Sequence, residues 1–436
     1  MSKQEYDFTD LILLIGTNPL PNYVVAKYFF LTNKSLQRIW LIYSEKTEFY
    51  QGTGQYAEDI KKVLETEFKQ SNVRYLLHNL SVISQAQTIK EQVAKILSKQ
   101  NGIKKIHLNY TGGTKAMSVH AYRALEGKLG EGFSASYLDA RDYRMKFDKN
   151  PDINTGDLRK TIQLKMSDLF SLHNSEILGN TNNEYLETIS DSPRRDNIMQ
   201  SIADLANQNK LLDLRNWFNT AKQGGLFSEG EKGEEKIKKI MASFNDNYKL
   251  LFNYLSKFPD NDRFCDEKGY WLCSNFDKNK NTKQLNKFLN GGWLEAYVAW
   301  VISNNRKEQN NVITNIYLKT RGKSGSKKFE IDVLAKNGYQ ICGISCGTPL
   351  KFENQKEILP NTLKNKGFEV ILRSSQIGGD EARSVLVTLL NPTLAKNLEN
   401  DLKAATGAGQ DKFIVLGIND LPAEKMWEKL KKHIYE

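Results

Sequence analysis

The N-terminal part of the chain alternates short apolar runs with segments of helical spacing. The continuous runs Leu11–Ile15 and Arg38–Ser44 are typical of strands buried on both faces. In Tyr56–Lys69 the apolar residues recur at helical intervals, which indicates an amphipathic helix. Strands that alternate with helices predict a mostly parallel, doubly wound sheet over residues 1–150. Further strands are expected at Val73–Leu80, Ile106–Tyr110, Phe133–Leu138 and Tyr143–Phe147, and further helices at Tyr23–Leu31 and Thr88–Leu97.

The middle of the chain has mostly helical spacing with charged loops. The polar segments Asn150–Asp157 and Asp277–Gln284 are candidate boundaries, the second of which could also be a solvated loop. The sequence therefore predicts three units: a first domain over residues 1–150, a mostly helical connector over residues 151–280, and a second α/β domain over residues 281–436.

The second domain begins with Gly292–Val301, a predicted helix that is almost wholly apolar. The segments Phe329–Ala335 and Tyr339–Cys346 flank an Asn-Gly pair, which predicts a tight β-hairpin. The remaining pattern predicts a strand at Val312–Lys319, a partial helix at Lys356–Gly367, a strand at Phe368–Leu372, a helix at Asp380–Leu390, a strand at Phe413–Gly417 and a terminal helix at Ala423–His433.

Composition narrows the class of protein. The 436 residues carry a formal net charge of +11, which favours a polyanionic partner. The four cysteines have no zinc-ligand spacing and no evident disulfide framework, which fits a reducing compartment. The N-terminus lacks the plan of a signal peptide, and no apolar run is long enough to span a membrane. We therefore expect a soluble cytoplasmic protein with no membrane partner.

Two loops of the first domain have the chemistry of a phosphate site. Thr111–Lys115 follows a strand and precedes a helix, and Gly16–Asn22 follows the first strand. Glycines let the backbone approach a ligand, and helix N-termini attract anions. Ser44 and Thr47, at the end of the second strand, could add hydroxyls to the same crevice. The alternative is an ordinary turn, capped by Thr111 or Thr114. Neither loop contains the GxGxxG pattern, which counts against a dinucleotide cofactor.

Carboxylates in the second domain indicate a metal-dependent site. Glu295 is the one acid of the apolar helix, and burying it alone is costly. Glu330 and Asp332 lie two residues apart on one strand and therefore share a face. An acid on a helix followed by an acid that enters a hairpin is the layout of restriction-endonuclease-like nucleases, which hold Mg²⁺ or Mn²⁺ through oxygen ligands. The alternative is that Glu330 and Asp332 merely line a solvated strand face.

The second strand of the hairpin departs from that layout. Ser345 stands where an acid is usual, and Gly347 where a lysine is expected to stabilise charge on the phosphorane. The Ser345 hydroxyl and the Cys346 carbonyl can still offer oxygen to a metal. Lys351, or Lys328 from the preceding turn, could supply the missing cation, although the sequence places neither.

Together these residues resemble a known family. Thr17–Asn22 (TNPLPN), Asn109–Ala116 (NYTGGTKA) and Ser136–Asp148 (SYLDARDYRMKFD) are similar to sensor-domain motifs of the CARF-domain ancillary nucleases of type III CRISPR systems. The segments GGWLEAYV, FEIDV and ISCGT resemble the nuclease motifs of the branch with a C-terminal restriction-endonuclease-like, or PD-(D/E)xK, domain. The similarity covers both ends of the chain, and the middle matches only in length and helical character.

The resemblance implies a fold, a ligand and a reaction. The fold is an N-terminal Rossmann-like CARF domain, a helical connector and a C-terminal nuclease domain. Two CARF domains would form a homodimer that binds one cyclic oligoadenylate, usually cyclic tetra-adenylate, and so activates cleavage of single-stranded RNA or DNA. Glu295, Asp332 and Ser345 would hold Mg²⁺ or Mn²⁺, with Glu330 and Lys351 as further catalytic candidates. The ligand cradle would comprise Thr17, Asn18, Pro19, Asn22, Ser44, Thr47, Thr111, Gly112, Gly113, Thr114 and Lys115.

Two other functions fit the same residues. The changes at Ser345 and Gly347 favour a binding module, in which a ligand-responsive dimer has lost its nuclease chemistry. The third possibility is a ring nuclease, in which Lys115 with Thr111 and Thr114 supports slow internal attack on the cyclic ligand by its own 2′-hydroxyl. The intact pair Glu295 and Asp332 favours the nuclease.

Overall fold

The structure is a computed structural model of the chain. It describes residues 6–98, 105–180, 192–216, 288–305, 312–320, 329–353, 356–409 and 411–436. The candidate boundary Asp277–Gln284 and Lys328 lie outside the described residues.

The first domain is built on a six-stranded sheet of order β3-β2-β1-β4-β5-β6. Strands β1 to β5 run parallel, and β6 runs antiparallel to β5. This is the doubly wound order that the alternating pattern predicts. The strands are β1 Asp10–Leu14, β2 Arg38–Ser44, β3 Arg74–Leu80, β4 Ile106–Asn109, β5 Phe133–Asp139 and β6 Arg144–Phe147, and the helices are α1 Leu20–Thr32, α2 Gly54–Glu67, α3 Ala86–Ser98 and α4 Lys115–Leu129.

The second domain contains another six-stranded sheet, of order β14-β13-β10-β9-β8-β7. Strands β10, β13 and β14 are parallel, whereas β7 to β10 form antiparallel pairs. A small separate hairpin follows β10. The strands are β7 Ser175–Asn180, β8 Val312–Thr320, β9 Phe329–Asn337, β10 Gln340–Gly347, β11 Lys351–Glu353, β12 Lys356–Ile358, β13 Arg383–Thr388 and β14 Phe413–Leu416.

Helices cover both faces of this second sheet. Within residues 151–280, where we predict a helical connector, β7 pairs with β8 and the Ser192–Asn207 helix packs into the core of the second domain. None of the described helices is long and apolar enough to cross a membrane. The helices that follow the first four are α5 Met166–Leu172, α6 Ser192–Asn207, α7 Trp293–Asn305, α8 Asn361–Gly378, α9 Pro392–Thr406 and α10 Ala423–Tyr435.

The predicted strand Phe368–Leu372 is wrong, because these residues lie in the middle of α8. The run contains valine and isoleucine, which favour strands locally. Its wider context has helical period, since the buried residues of α8 are Leu363, Gly367, Val370, Ser374, Ile377 and Gly378. Tertiary packing therefore overrides local propensity.

The predicted helix Asp380–Leu390 is also wrong. Residues Arg383–Thr388 form β13, all six of them buried between β10 and β14. A strand covered on both faces shows a continuous apolar run rather than alternation, and such a run cannot be distinguished from a buried helix by period alone.

The two domains share one hydrophobic core. Leu11 and Leu41 of the first sheet belong to the same buried cluster as Leu334 and Ile341 of the second sheet. Residues between the domains, including Leu158, complete this cluster. The contact between the sheets is therefore continuous and apolar, unlike a flexible tether between separate units.

A buried polar network crosses the same boundary. The Gln340 amide donates to the Tyr143 hydroxyl (2.8 Å) and to the Glu381 carbonyl (2.8 Å), and its oxygen accepts from Arg159 (2.8 Å). The Arg159 guanidinium also stacks on the Tyr143 ring, 3.9 Å from its centroid. Since buried polar groups are costly without partners, these bonds fix how the two sheets meet.

One buried histidine makes the first domain sensitive to acid. His107 on β4 bonds to the hydroxyls of Ser134 and Ser136, and burial lowers its pKa from 6.5 to about 3. Below pH 6.5 the unfolded chain therefore binds a proton that the folded chain does not. Between pH 7 and pH 5 we expect this residue to reduce the free energy of unfolding by about 2 kcal/mol. Urea titrations of wild type and His107→Gln at both pH values measure it, and an equal loss in both proteins would contradict the assignment.

Candidate functional site

The two loops that we predict to bind phosphate meet at the switch point of the first sheet. β1 pairs with β2 on one side and β4 on the other, so the loops after β1 and β4 flank the reversal of strand order. A Cβ atom placed on Gly16 would lie 3.1 Å from the Gly113 nitrogen. The same atom on Gly112 would lie 2.6 Å from the Asn22 side-chain oxygen. The close approach of the loops therefore depends on glycine at these positions.

The two threonines of the second loop have structural partners. The Thr111 hydroxyl donates to the Asn109 side chain (2.7 Å) and accepts from the Leu138 backbone N–H (2.7 Å). The Thr114 hydroxyl caps α4 by accepting from the Met117 N–H (3.2 Å). Thr114 therefore caps a helix, as in the alternative prediction of an ordinary capped turn. Thr111 does not cap α4 but fixes the loop to β5.

The other predicted cradle residues differ in access. Thr17, Thr47 and Lys115 are exposed at the crevice side of the sheet, where a ligand can reach them. Asn22 is fully buried and donates to the Leu14 carbonyl (3.0 Å). Ser44 is also buried, with its hydroxyl 3.2 Å from that of Thr53. The side chains of Asn22 and Ser44 therefore pack beneath the crevice and are not exposed at its surface.

Asn18 connects the first loop to the second domain. Its amide donates to a Glu381 carboxylate oxygen (2.7 Å), and its side-chain oxygen accepts from the Leu20 N–H (3.2 Å). Pro19, the residue before α1, is buried. Glu381 is 6% exposed, and burial raises its pKa despite the bond from Asn18. A residue of the predicted ligand cradle thus touches the domain that carries the carboxylates.

In the second domain, Asp332 is the centre of a cluster of donors. It lies on β9 and is 9% exposed. One carboxylate oxygen, Oδ2, accepts from the Ser345 hydroxyl (2.9 Å), the Cys346 backbone N–H (2.8 Å) and the Lys366 ammonium (3.2 Å). The hairpin therefore brings Ser345 to Asp332.

The lysine at this cluster comes from helix α8. Lys366 donates to Asp332 and also to the Cys346 carbonyl (2.8 Å). Burial lowers the pKa of Lys366, but the charge of Asp332, its hydrogen bond to Lys366 and the charge of Glu295 raise it by more. Burial raises the pKa of the Cys346 thiol far above its usual range, with Asp332 and Glu295 adding to the effect. Glu295 thus contributes to the electrostatics of the cluster, and the thiol stays protonated.

Lys351, which we predict as a substitute cation, lies elsewhere. It is on the exposed hairpin strand β11, where its ammonium pairs with Glu353 (2.8 Å). The lysine at Asp332 is Lys366 instead. Glu330 is half-buried on β9, on the same face as Asp332 and across from Tyr317 of β8.

Comparison with known protein families identifies the type of the first domain. Residues 11–147 match the family model described as the Card1 CARF domain. These residues form a CARF domain. The match contains the Thr111–Lys115 loop, all of the predicted cradle residues and the six strands of the first sheet, apart from the first residue of β1.

Two solved structures share the fold over nearly the whole chain. Protein VC1899 from Vibrio cholerae has a TM-score of 0.67 and 13% identity, over 98% of this chain and 99% of that one. Can2 from Sulfobacillus thermosulfidooxidans, solved in complex with cyclic tetra-adenylate, has a TM-score of 0.60 and 14% identity, over 98% and 99%. No curated protein matches the chain in sequence. The arrangement of two α/β domains in one chain is thus shared.

The Asp332 cluster presents oxygen atoms that a metal ion could bind. They are the Asp332 carboxylate, the Cys346 carbonyl and the Ser345 hydroxyl, which is the donor chemistry of Mg²⁺ and Mn²⁺, and the charge of Glu295 acts on the same cluster. Among the described residues there is no group of three or more His, Cys, Asp or Glu side chains that could hold a metal. The donor types fit such an ion, with two acids and backbone oxygen in place of three acids.

Sequence reasoning missed Lys366. Its segment looked like the end of a partial helix followed by a strand, which hides the fact that residue 366 lies on the face of α8 next to Leu363 and Gly367. The usable signal was Gly347. A glycine in a buried strand indicates close approach of another element, and at Gly347, the last residue of β10, that element is α8.

The junction of the two CARF loops predicts a sharp response to one methyl group. Gly112→Ala would force Asn22 and the Leu14 carbonyl away from the loop, and we expect it to lower the free energy of unfolding by about 1–3 kcal/mol. Gly127→Ala on α4 is the matched control, because no atom beyond the adjacent backbone of its own helix lies within 4 Å of the added Cβ. Urea unfolding measures both, and equal stability of the two variants would show that the loops do not pack as described.

Proposed function

We propose that this protein is a messenger-activated CRISPR effector nuclease. A cyclic oligoadenylate, of which cyclic tetra-adenylate is the first candidate, binds at the crevice of two CARF domains and activates the Asp332 cluster to cut single-stranded RNA or DNA. The observation that carries the proposal is the cluster itself. The Asp332 carboxylate, the Cys346 carbonyl and the Lys366 ammonium meet at the β9–β10 hairpin, and the charge of Glu295 acts on them.

The CARF crevice supports the messenger half of the proposal. The N-termini of α1 and α4 begin at the two crevice loops, and Lys115 and Thr17 are exposed beside them. Helix N-termini and a lysine favour phosphates. The family match and the Can2 complex with cyclic tetra-adenylate point to the same ligand class. A ligand on a two-fold axis meets both protomers equally, so a homodimer is the assembly that fits.

The second domain supports the nuclease half. Asp332, Glu295 and the Cys346 carbonyl would hold Mg²⁺ or Mn²⁺, with the Ser345 hydroxyl beside them. A bound divalent ion would supply Lewis-acid activation of the phosphodiester. The chain's own residues position it: Cys346 N–H and Ser345 hold the Asp332 carboxylate in one orientation.

A sensor that has lost its chemistry is the second candidate. It is favoured by the three donors already gathered on Asp332 Oδ2, which together with Ser345 and Gly347 leave few acids for a metal. The ring-nuclease reading has less support, because the Thr111 hydroxyl donates its hydrogen to Asn109 and is fixed to β5.

The test is cleavage of labelled single-stranded RNA, single-stranded DNA and duplexes, with Mg²⁺ or Mn²⁺ and each cyclic oligoadenylate. We expect cleavage only with messenger, and a loss of about 10²-fold or more in Asp332→Asn, because the carboxylate that orders the cluster is neutralised. Asp411→Asn, at an exposed position of the same domain, should match wild type.

Each alternative has its own outcome in this experiment. Messenger binding at one ring per two chains without cleavage would replace the nuclease by the sensor. Loss of intact messenger in the absence of nucleic acid would establish the ring nuclease. Equal cleavage by wild type and Asp332→Asn would show that the Asp332 cluster of the second domain does not catalyse the reaction.

A further inference from the structure

Strand β10 carries no basic residue, yet a cation lies at its end. Strand β10 carries Ser345 and Gly347, neither of which can be positively charged. The Lys366 ammonium instead reaches the cluster from α8, 3.2 Å from Asp332 Oδ2 and 2.8 Å from the Cys346 carbonyl oxygen. A basic group therefore reaches this strand end from a different element of the fold.

Gly347 makes this approach possible. A Cβ atom on Gly347 would overlap the Leu363 side chain and lie 3.6 Å from Lys366 Cδ. A side chain at position 347 would displace the Leu363 side chain from its packing between α8 and the strand. The helix that carries Lys366 is thus packed directly on the strand position that lacks a lysine.

The ammonium lies between two oxygen atoms that a cation would bind. Its side chain is 38% exposed, whereas that of Asp332 is 12% exposed, so solvent and substrate reach the lysine more easily than the carboxylate. A lysine side chain is flexible and can turn its ammonium toward a bound phosphate while its stem stays packed.

We propose that Lys366 supplies the catalytic cation of this site and occupies the divalent-ion position when no ion is bound. This inference rests on the proposed function for its catalytic half. A divalent ion would replace the ammonium between Asp332 and the Cys346 carbonyl, and Lys366 would then contact the scissile phosphate.

The two roles predict opposite effects of one substitution. Lys366→Met should bind Mn²⁺ more tightly, by about tenfold, because the competing ammonium is gone. It should also cleave about 10²–10³-fold more slowly at saturating Mn²⁺, because charge on the phosphate is no longer stabilised. Lys366→Arg keeps the charge and should cleave within about tenfold of wild type.

Lys364→Met is the matched control, since it removes a charge of similar exposure from the same helix, where its partner is Asp401 rather than Asp332. Mn²⁺ affinity is measured by electron paramagnetic resonance and cleavage on the labelled strands. If Lys366 only held α8 against the hairpin, Lys366→Met would melt earlier and bind Mn²⁺ more weakly. That result, or a Mn²⁺ affinity equal to that of Lys364→Met, would overturn the proposal. The Mn²⁺ affinity tests the proposal even if the protein has no nuclease activity.

A separate contact joins the same helix to the messenger crevice. Helix α8 ends at Gly378, and the next residue, Gly379, has a φ of +65°. A Cβ atom on Gly379 would lie 2.5 Å from the Asn18 amide nitrogen. The same amide donates to Glu381 (2.7 Å). The crevice loop is therefore packed directly on the end of the helix that carries Lys366.

We infer that Asn18 transmits the state of the messenger loop to α8 and so to Lys366. This second inference also rests on the proposed function. A ligand that moves the loop must move or release the Asn18–Glu381 bond, and a packed helix responds as a rigid element rather than residue by residue. Binding of messenger should therefore change the affinity of the Asp332 cluster for Mn²⁺.

Linkage makes the test quantitative. In wild type we expect cyclic tetra-adenylate to change the Mn²⁺ affinity by about 5-fold or more, and Mn²⁺ to change the messenger affinity by the same factor. In Glu381→Ala, which removes the acceptor of Asn18, both factors should approach one. Glu381→Gln keeps an acceptor oxygen and should retain the coupling, and Glu428→Ala, at an exposed site, is the control.

Calorimetric titrations of each ligand, with and without the other, provide the four affinities. Unchanged coupling in Glu381→Ala would overturn the inference, as would the absence of coupling in wild type. Neither result depends on cleavage, so a failure here is distinct from a failure of the nuclease assay.

Discussion

The side chain of Gln340 holds the two halves of this molecule in register. One amide joins Tyr143 of the CARF domain, Arg159 of the following segment and the backbone of Glu381 in the second domain. Its residue is 2% exposed, so these bonds form where water cannot replace them. The continuous apolar core around it supplies most of the burial, and the amide network selects one arrangement among the many that apolar contact alone would permit.

The Asp332 cluster depends on this fixed arrangement. Strand β10, which begins with Gln340, ends at the residues that face Asp332. Helix α8 crosses the same strand, with Lys366 at one end of β10 and Gly378 packed on Ile341 at the other. Strand β10 and helix α8 thus connect the domain boundary to Asp332. The geometry of the boundary therefore constrains the geometry of the Asp332 cluster.

The sequence predicted the first domain well, because its strands are separated by helices of ordinary length and each shows one clear period. The places of the crevice loops were predictable for the same reason, because each loop follows a strand and precedes a helix. The second domain was harder. Its buried strand Arg383–Thr388 is a continuous run whose period does not distinguish it from a buried helix, and the short run Phe368–Leu372 within α8 favours a strand locally. Lys366 could not be placed from sequence, because its position depends on how α8 lies across β10.

The shared core has a consequence for how this protein can be divided. Leu11, Leu158 and Ile341 come from three different stretches of the chain and are buried in one cluster. A fragment cut after the CARF match at residue 147 would expose the faces of Phe147, Tyr143 and Leu138 that this cluster now covers. The boundary seen by comparing sequences is therefore not a boundary of folding. The CARF domain and the second domain therefore unfold as one cooperative unit. Exchanging either domain between relatives requires exchanging the surface that it buries as well.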